Sequence, residues 1–195
     1  MAITSIEQLD KNGRYTYADY LTWQFEQMVE LIKGKLFILS PAPASRHQSI
    51  SSGLIGQIIP YFLKHQCRAF HAPFDVRLVK DKKADAAILT VVQPDICIIC
   101  NEEKIDERGC VGAPDWIIEI LSPATAKKDY NEKYNLYQEN EVKEYWIVNP
   151  DANAINQFVL QTNGEYEQLN LFYKNQIVSP AIFPDLSIDL NLVFS

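Results

Sequence analysis

The sequence predicts an α/β fold in which a mixed central β-sheet is flanked by helices. Two short, nearly continuous apolar runs, 96–100 and 116–121, are typical of strands that are covered on both faces. Apolar residues recur at helical spacing between 50 and 63, and tyrosines recur at that spacing between 130 and 137. These strand and helix patterns together predict the α/β class.

Length and composition predict a single globular domain over residues 1–195. The chain has 195 residues, of which 47% are hydrophobic and 22% charged, and such values argue against disorder. No repeat, low-complexity tract or linker divides it. No run approaches the roughly 18 apolar residues of a membrane span, and the first residues lack the basic flank and apolar run of a signal peptide. We therefore expect a cytoplasmic protein without a membrane partner.

Capping and turn patterns predict the N-terminal elements. Thr16-Tyr17-Ala18-Asp19 predicts a short capped helix, and the β-prone runs around Lys33-Gly34 predict a hairpin. A second capping pattern, Ser45-Arg46-His47-Gln48, predicts the start of the long helix. The residues from Phe70 to Val79 are predicted to form one strand.

The later elements follow from apolar patterning and turn residues: a charged connection over 101–112, a helix over 126–140, and strands over 145–148, 154–160 and 166–173. The pair Asn163-Gly164 supplies the turn of a hairpin. Residues 151–195 are therefore expected to be a β-rich extension of the same domain.

The chain has four cysteines, Cys67, Cys97, Cys100 and Cys110. Cys97 and Cys100 have C-x-x-C spacing, but residues three apart on a strand point to opposite faces. That geometry suits neither a tetrahedral zinc site nor a redox motif at a helix start. We interpret Cys97 and Cys100 as small hydrophobic residues of the core.

Two acids lie against apolar strands. Asp95 directly precedes the first apolar run, and Glu119 lies within the second, where it shares a strand face with Ile117 and Leu121. An ionised carboxylate there is costly unless it is paired, hydrogen-bonded or bound to a metal. If the two strands are neighbours, the carboxylates can converge and repel each other. Mg²⁺, which prefers hard oxygen ligands, would relieve that repulsion.

Asp129 and Lys133 lie four residues apart on one face of the helix predicted after the second run. Taken alone, this pair is most simply a surface ion pair worth roughly a few tenths of a kcal/mol. A lysine on that face could also neutralise charge in a phosphoryl-transfer transition state or position an attacking water.

The informative segments occur in a fixed order: 30–36, 40–47, 93–95, 112–123, 129 with 133, and 144–148. In order and spacing they resemble the Uma-two family of restriction-endonuclease-like proteins, also called domain-of-unknown-function family 820, within the PD-(D/E)XK nuclease superfamily. The resemblance covers about residues 16–150. It implies a PD-(D/E)XK restriction-endonuclease-like fold and a DNA endonuclease that uses Mg²⁺, with Mn²⁺ as a substitute.

The resemblance also implies roles for individual residues. Asp95 resembles the acid of the PD element, and Glu119 resembles the acid of the (D/E)XK element. Both would hold the metal together with the backbone carbonyl of Ile120. Glu30 resembles the additional upstream acid of the family.

One position departs from the family pattern, because Leu121 stands where the (D/E)XK lysine is expected. The resemblance then implies a lysine from the following helix, with Lys133 as the candidate and Lys128 as the alternative. Asp129 and His47 are secondary candidates. His47 could bind a phosphate or orient a metal-bound water, although a lone histidine in a capping turn is more often a surface residue.

DNA is the expected partner, together with a second copy of the chain, since nucleases often pair to cut both strands; no organic cofactor is expected. The net charge of −7 offers no global attraction for DNA, so binding must use a local basic patch or bound cations. The densest basic group is Arg77, Lys80, Lys82 and Lys83. These residues either contact a phosphate backbone or form a solvated loop.

The sequence is also compatible with two other functions. With its lysine displaced, the chain could be a catalytically reduced nuclease fold that acts as a DNA- or protein-binding module, and metal binding would discriminate between the two. Glycoside hydrolysis also uses paired carboxylates, but it explains neither Lys133 nor the order of the segments.

Overall fold

The computed structural model describes residues 2–39, 44–81, 84–122 and 129–195, except for the side chains of residues 129 and 130. Its strands are β1 Val29–Ile32, β2 Lys35–Ile38, β3 Arg68–His71, β4 Val76–Arg77, β5 Val91–Val92, β6 Ile96–Ile99, β7 Ile105–Asp106, β8 Gly109–Val111, β9 Trp116–Ile120, β10 Glu144–Asn149, β11 Ala154–Leu160, β12 Tyr166–Tyr173, β13 Ile177–Val178 and β14 Ile188–Asp189. Its α-helices are α1 Tyr17–Tyr20, α2 Ser45–Phe62, α3 Tyr134–Glu139 and α4 Leu190–Val193. None of the helices in these ranges combines the length and the apolar character that a membrane-spanning segment requires.

The strands of the described residues form two six-stranded sheets and one two-stranded sheet. The central sheet has the order β12-β11-β10-β9-β6-β3, and it is mixed because β9 and β10 run parallel while the other neighbours run antiparallel. The second sheet has the order β2-β1-β5-β4-β8-β7. The predicted class, a mixed central sheet with helices, is confirmed.

Both faces of the central sheet are buried. On one face, Ile118 of β9 belongs to the same core cluster as Leu54 of α2. On the other face, Ile117 of β9 clusters with Leu136 of α3 and with Val76 of the second sheet. Because side chains alternate along a strand, Glu119 points to this second face, between the two sheets.

The predicted first helix and hairpin are confirmed. Thr16 and Asp19 cap α1 reciprocally, each side chain accepting a hydrogen bond from the other residue's backbone N–H. Between β1 and β2, Lys33 and Gly34 both have positive φ, 52° and 82°. A two-residue type I′ turn requires this conformation at both positions.

The strand predicted from Phe70 to Val79 is instead two strands, β3 in the central sheet and β4 in the second. Pro73, which has no N–H to donate to a ladder, lies where the chain crosses between them. The long helix begins at Ser45 as predicted, but the predicted capping box is wrong, because the N-cap of α2 is Ala44 and no side chain caps it.

The predicted charged connection over 101–112 contains the hairpin β7–β8. Gly109 permits it, with a φ of 122°. A Cβ at this position would lie 2.2 Å from the carbonyl oxygen of Asp75, so no side chain fits there.

Of the helix predicted over 126–140, the described residues form a π-helical turn at Asp129–Lys133 followed by α3. Residues 126–128 lie outside the described residues.

The cysteines divide into two kinds. Cys97 and Cys110 are free and buried. For Cys97 this confirms the prediction of a small core residue, whereas for Cys100 that prediction is wrong. Cys67 and Cys100 form a disulfide, which the sequence did not predict. Cys100 packs on the α2 side of the central sheet and Cys97 on the opposite side, so the two ends of the C-x-x-C pattern do point to different faces.

Candidate active site

Glu119 is the centre of a buried polar cluster between the two sheets. It is 4% exposed, and its Oε1 accepts hydrogen bonds from Lys133 Nζ at 2.7 Å and from the Tyr137 hydroxyl at 2.6 Å. Lys133 ends the π-helical turn and Tyr137 follows four residues later in α3, so both donors project from one helix face. Hydrogen bonds from charged and hydroxyl donors offset the cost of burying this carboxylate.

Glu30 brings the second sheet into the cluster. It lies on β1 and is completely buried. Its Oε1 lies 2.9 Å from Lys133 Nζ and accepts the backbone N–H of Gln93 at 3.0 Å. One ammonium group therefore joins a carboxylate of the central sheet to a carboxylate of the second sheet.

Asp95 lies beside this cluster, immediately before β6. Its Oδ2 accepts the backbone N–H of Ile120 at 2.7 Å, so the carboxylate is fixed against the residue that follows Glu119. Its Oδ1 lies 3.3 Å from Nε2 of His47, in the first turn of α2. With 20% of its side chain exposed, Asp95 is the most accessible of the three acids.

Three acids among the described residues lie around one lysine. Glu30 and Glu119 contact the Lys133 ammonium, and Asp95 contacts the backbone next to Glu119. Burial, followed by the charges of Glu119 and Glu30, raises the pKa of Tyr137 well above its ordinary value. The Tyr137 hydroxyl therefore keeps its proton and acts as a donor to Glu119.

The donor set suits a hard divalent cation. Within the described part of the chain, no three His, Cys, Asp or Glu side chains are gathered so as to hold a metal by themselves. A cation here would use the carboxylates of Asp95 and Glu119, a backbone carbonyl such as that of Ile120, and water. Mg²⁺ commonly binds to proteins through one or two carboxylates while keeping several waters, and its charge would be attracted to the carboxylates of Asp95 and Glu119.

Four of the predicted site residues thus lie in one chain of direct contacts: Glu30 to Lys133, Lys133 to Glu119, and Asp95 to the backbone next to Glu119. The secondary candidate His47 contacts Asp95. The roles of all five residues stay predictions.

Two predicted site residues lie wholly or partly outside the described residues, and one residue of the site was not predicted. Asp129 lies in the π-helical turn, but its side chain is outside the described residues, as is the whole of Lys128. In the sequence, Tyr137 contributes only to the tyrosine spacing that predicts the helix over 126–140. Its position four residues after Lys133 was the one signal that could have placed it in the site.

The predicted basic group does not form a phosphate-binding patch at Arg77. This side chain is 1% exposed, and its guanidinium contacts Asp106 at 2.5 Å and the carbonyl of Cys110 at 3.2 Å. Lys80 is exposed and lies 3.2 Å from Glu141. Lys82 and Lys83 lie outside the described residues.

Comparisons with known proteins give a consistent result. Residues 17–191 match the model of the Uma2 family, described as "Putative restriction endonuclease". A protein of Synechocystis sp. (strain ATCC 27184 / PCC 6803 / Kazusa), slr1290, is 19% identical over 175 residues, which is 88% of either chain. A crystal structure from Anabaena variabilis ATCC 29413, titled as "a putative nuclease belonging to DUF820", has a TM-score of 0.70 and 23% identity, covering 92% of this chain and 97% of that chain. The family match includes C-terminal residues beyond the 16–150 segment that resembles the family in sequence.

Proposed function

The chain belongs to the Uma2 family of restriction-endonuclease-like nucleases, and from that premise we propose that it is a metal-dependent endonuclease that hydrolyses DNA phosphodiester bonds with an activated water. One observation carries the proposal: Lys133 Nζ lies within 2.9 Å of Glu30 and 2.7 Å of Glu119. A buried ammonium between two acids, next to a third acid that is partly open, supports phosphoryl-transfer chemistry more readily than a purely structural role.

Asp95 and Glu119 hold the cation in this proposal, with the backbone carbonyl of Ile120 as a further ligand. The expected metal is Mg²⁺, for which Mn²⁺ can substitute. When bound, such a cation polarises a phosphate oxygen and lowers the pKa of a coordinated water.

Lys133 serves the role of the lysine that the superfamily pattern places two residues after Glu119. At that position Leu121 packs into the core between the sheets and is only 7% exposed. A lysine at position 121 would therefore direct its ammonium into apolar surroundings. Lys133 brings a positive charge to Glu119 from the helix instead, where it can offset charge that develops on the phosphate.

Three further residues position this machinery. Glu30 holds the Lys133 ammonium from the second sheet, and Tyr137 orients the Glu119 carboxylate. His47 orients Asp95. The proposal also includes a single domain over 1–195, DNA as the substrate, a homodimer as the working form and a cytoplasmic location.

Cleavage of a supercoiled plasmid by the purified protein tests the proposal. We expect Mg²⁺-dependent nicking or linearisation that EDTA abolishes. Asp95→Asn and Glu119→Gln should each lower the rate by at least about 100-fold, because each replaces a charged metal ligand with a neutral amide, and loss of an outer-shell partner alone commonly costs about 10–100-fold. Glu139→Gln is a matched control, since Glu139 lies on the neighbouring helix with half its side chain exposed and pairs with Lys33.

Circular dichroism establishes that each variant is folded. Cutting that is independent of metal and persists in both Asp95→Asn and Glu119→Gln would contradict the proposal. Saturable DNA binding by the wild type without cleavage at any Mg²⁺ or Mn²⁺ concentration would identify a binding module instead.

A further inference from the structure

A groove opens between the edges of the two sheets, and we name it the edge groove. It encloses about 540 Å³, and its lining includes Arg68 and Phe70 of β3, Phe74, Gln93 and Arg108. β3 is the edge strand of the central sheet, and Arg108 lies in the turn between β7 and β8 at the edge of the second sheet. Elements of both sheets thus form its walls.

The edge groove shares a chain segment with the candidate active site. Gln93 lines the groove with its side chain, while its backbone N–H donates to Glu30 Oε1 at 3.0 Å. Asp95 follows two residues later, and its carbonyl accepts the N–H of Ala72 at 3.1 Å, at the end of β3. Residues 93–95 therefore join the edge groove to the candidate active site.

Aromatic rings form one wall of the edge groove. Phe70 and Phe74 stack with their centroids 4.2 Å apart and their planes at 15°. The guanidinium of Arg68 lies 5.4 Å from the centroid of Phe70. Aromatic side chains next to an exposed arginine are the usual composition of surfaces that bind single-stranded nucleic acid, because every base has a face that stacks and every nucleotide has a phosphate.

The edge groove has the size of a small-molecule site, and its aromatic wall favours an unpaired base. About 540 Å³ is within the range of such sites, roughly 300–1,000 Å³. A base can stack against the wall only after it has left the paired stack of a duplex. An unpaired nucleotide is therefore the form of DNA that the groove is expected to bind.

Most of the acidic groups that line the edge groove are already engaged by the protein. Asp75 accepts from the Gln93 side-chain amide at 2.9 Å and from the Tyr20 hydroxyl at 3.3 Å. Asp106 is paired with the buried Arg77. The ion pair with Arg77 reduces the repulsion that a DNA phosphate would meet at Asp106, whereas the neutral donors to Asp75 orient its carboxylate without cancelling its charge.

We propose that the edge groove binds an unpaired nucleotide of the DNA substrate, so that the protein selects DNA with a single-stranded overhang, flap or frayed end over fully paired duplex. The inference rests on the proposed function for the identity of the substrate. Binding in the groove does not require the metal, however, and can be measured separately from cleavage.

Fluorescence anisotropy in EDTA and low salt tests the inference with two labelled probes, a blunt duplex and the same duplex with a single-stranded overhang. We expect the overhang probe to bind at least about tenfold more tightly, the size of effect expected from stacking one base. Arg68→Ala and Phe74→Leu should each remove most of that preference. Arg68 is exposed, so its variant is expected to fold even if the Phe74 variant, which loses a core contact, does not.

Lys35→Ala is the matched control, because Lys35 is exposed on β2 at the opposite edge of the second sheet; it should retain the preference of the wild type. Equal affinity for the two probes, or a preference that survives in Arg68→Ala, would overturn the inference. An overhang preference without metal-dependent cleavage would leave the inference standing and reject the proposed reaction. Cleavage of blunt duplex by a protein that shows no preference for the overhang probe would support the proposed reaction and reject the inference.

Discussion

The Lys133 ammonium lies 2.7 Å from the Glu119 carboxylate at a place where the two side chains are 3% and 5% exposed. The same ammonium lies 2.9 Å from Glu30, which is completely buried. Removal of one partner from a buried ion pair is strongly destabilising because the remaining charge is left without compensation. This relationship makes the site a determinant of stability as well as a candidate for catalysis.

Lys133→Met should lower the free energy of unfolding by about 3–5 kcal/mol, because the buried Glu30 and Glu119 carboxylates lose their shared cation. Urea denaturation followed by circular dichroism measures the change. Lys80→Met is the control, since Lys80 and its partner Glu141 are exposed, and its effect should be below about 1 kcal/mol. Equal losses in the two variants would show that Lys133 is not buried between the acids.

Tyr137→Phe removes one hydroxyl that donates to Glu119 at 2.6 Å. We expect a loss of about 1.5–3 kcal/mol in unfolding free energy, the usual range for a hydrogen bond to a charged group. The matched variant Tyr134→Phe, on the same helix, loses a longer hydrogen bond of 3.3 Å to a backbone carbonyl and should cost about 1 kcal/mol or less. A Tyr137 variant as stable as the wild type would contradict the contact.

Outside the site, Glu144 is a buried carboxylate held entirely by N–H donors. Its Oε1 accepts from the Trp146 indole at 2.6 Å and the Gln157 amide at 2.7 Å, and its Oε2 accepts the N–H of Ile182 at 3.0 Å. Burial nevertheless raises the pKa of Glu144 above its ordinary 4.5. A raised folded-state pKa contributes stability that is present below the unfolded pKa and is lost as the pH rises through the folded one.

Glu144→Gln should therefore be less stable than the wild type by about 1–3 kcal/mol, since one donor loses its acceptor, and this deficit should be larger near pH 4 than at pH 7. Urea denaturation at both pH values measures it. A deficit that increases with pH would mean that the N–H donors lower the folded pKa of Glu144 by more than burial raises it, and would contradict the raised pKa.

The number of cysteines that react with iodoacetamide should depend on whether the protein is native, denatured or reduced. Burial raises the pKa of Cys110 to about 12 and that of Cys97 well above its ordinary value, so both thiols should resist iodoacetamide at pH 8 in the native protein. After denaturation without reductant, mass spectrometry should detect two labelled cysteines, and four after reduction. Four labels without reduction would exclude the Cys67–Cys100 disulfide.

Local patterns were sufficient to predict much of the candidate site. The alternation of side chains placed Glu119 on the face that turns out to lie between the sheets, an inference that depends on the geometry of one element, which a short stretch of sequence determines. Lys133 became a candidate only through the family resemblance, since its spacing from Asp129 alone indicated a surface ion pair. The cost of burying a carboxylate marked Glu119 as unusual before any neighbour was known.

Features that depend on packing between distant elements could not be predicted in the same way. The contact of Glu30 with Lys133 requires the second sheet to lie over the central one, and β3 and β4 separate into different sheets for the same reason. Tyr137 has a helical position that serves core packing equally well. The Cys67–Cys100 disulfide depends on where α2 ends relative to β6, which spacing along the chain does not reveal.

The proposed function requires one divalent cation that is held jointly by Asp95 and Glu119 beside Lys133. Anomalous diffraction from crystals soaked in Mn²⁺ tests it most directly. We predict a strong anomalous peak at coordination distance, roughly 2.0–2.6 Å for hard cations on oxygen, from one carboxylate oxygen of each acid. Saturating Mn²⁺ that gives no peak between Asp95 and Glu119, or peaks at surface carboxylates alone, would contradict the account.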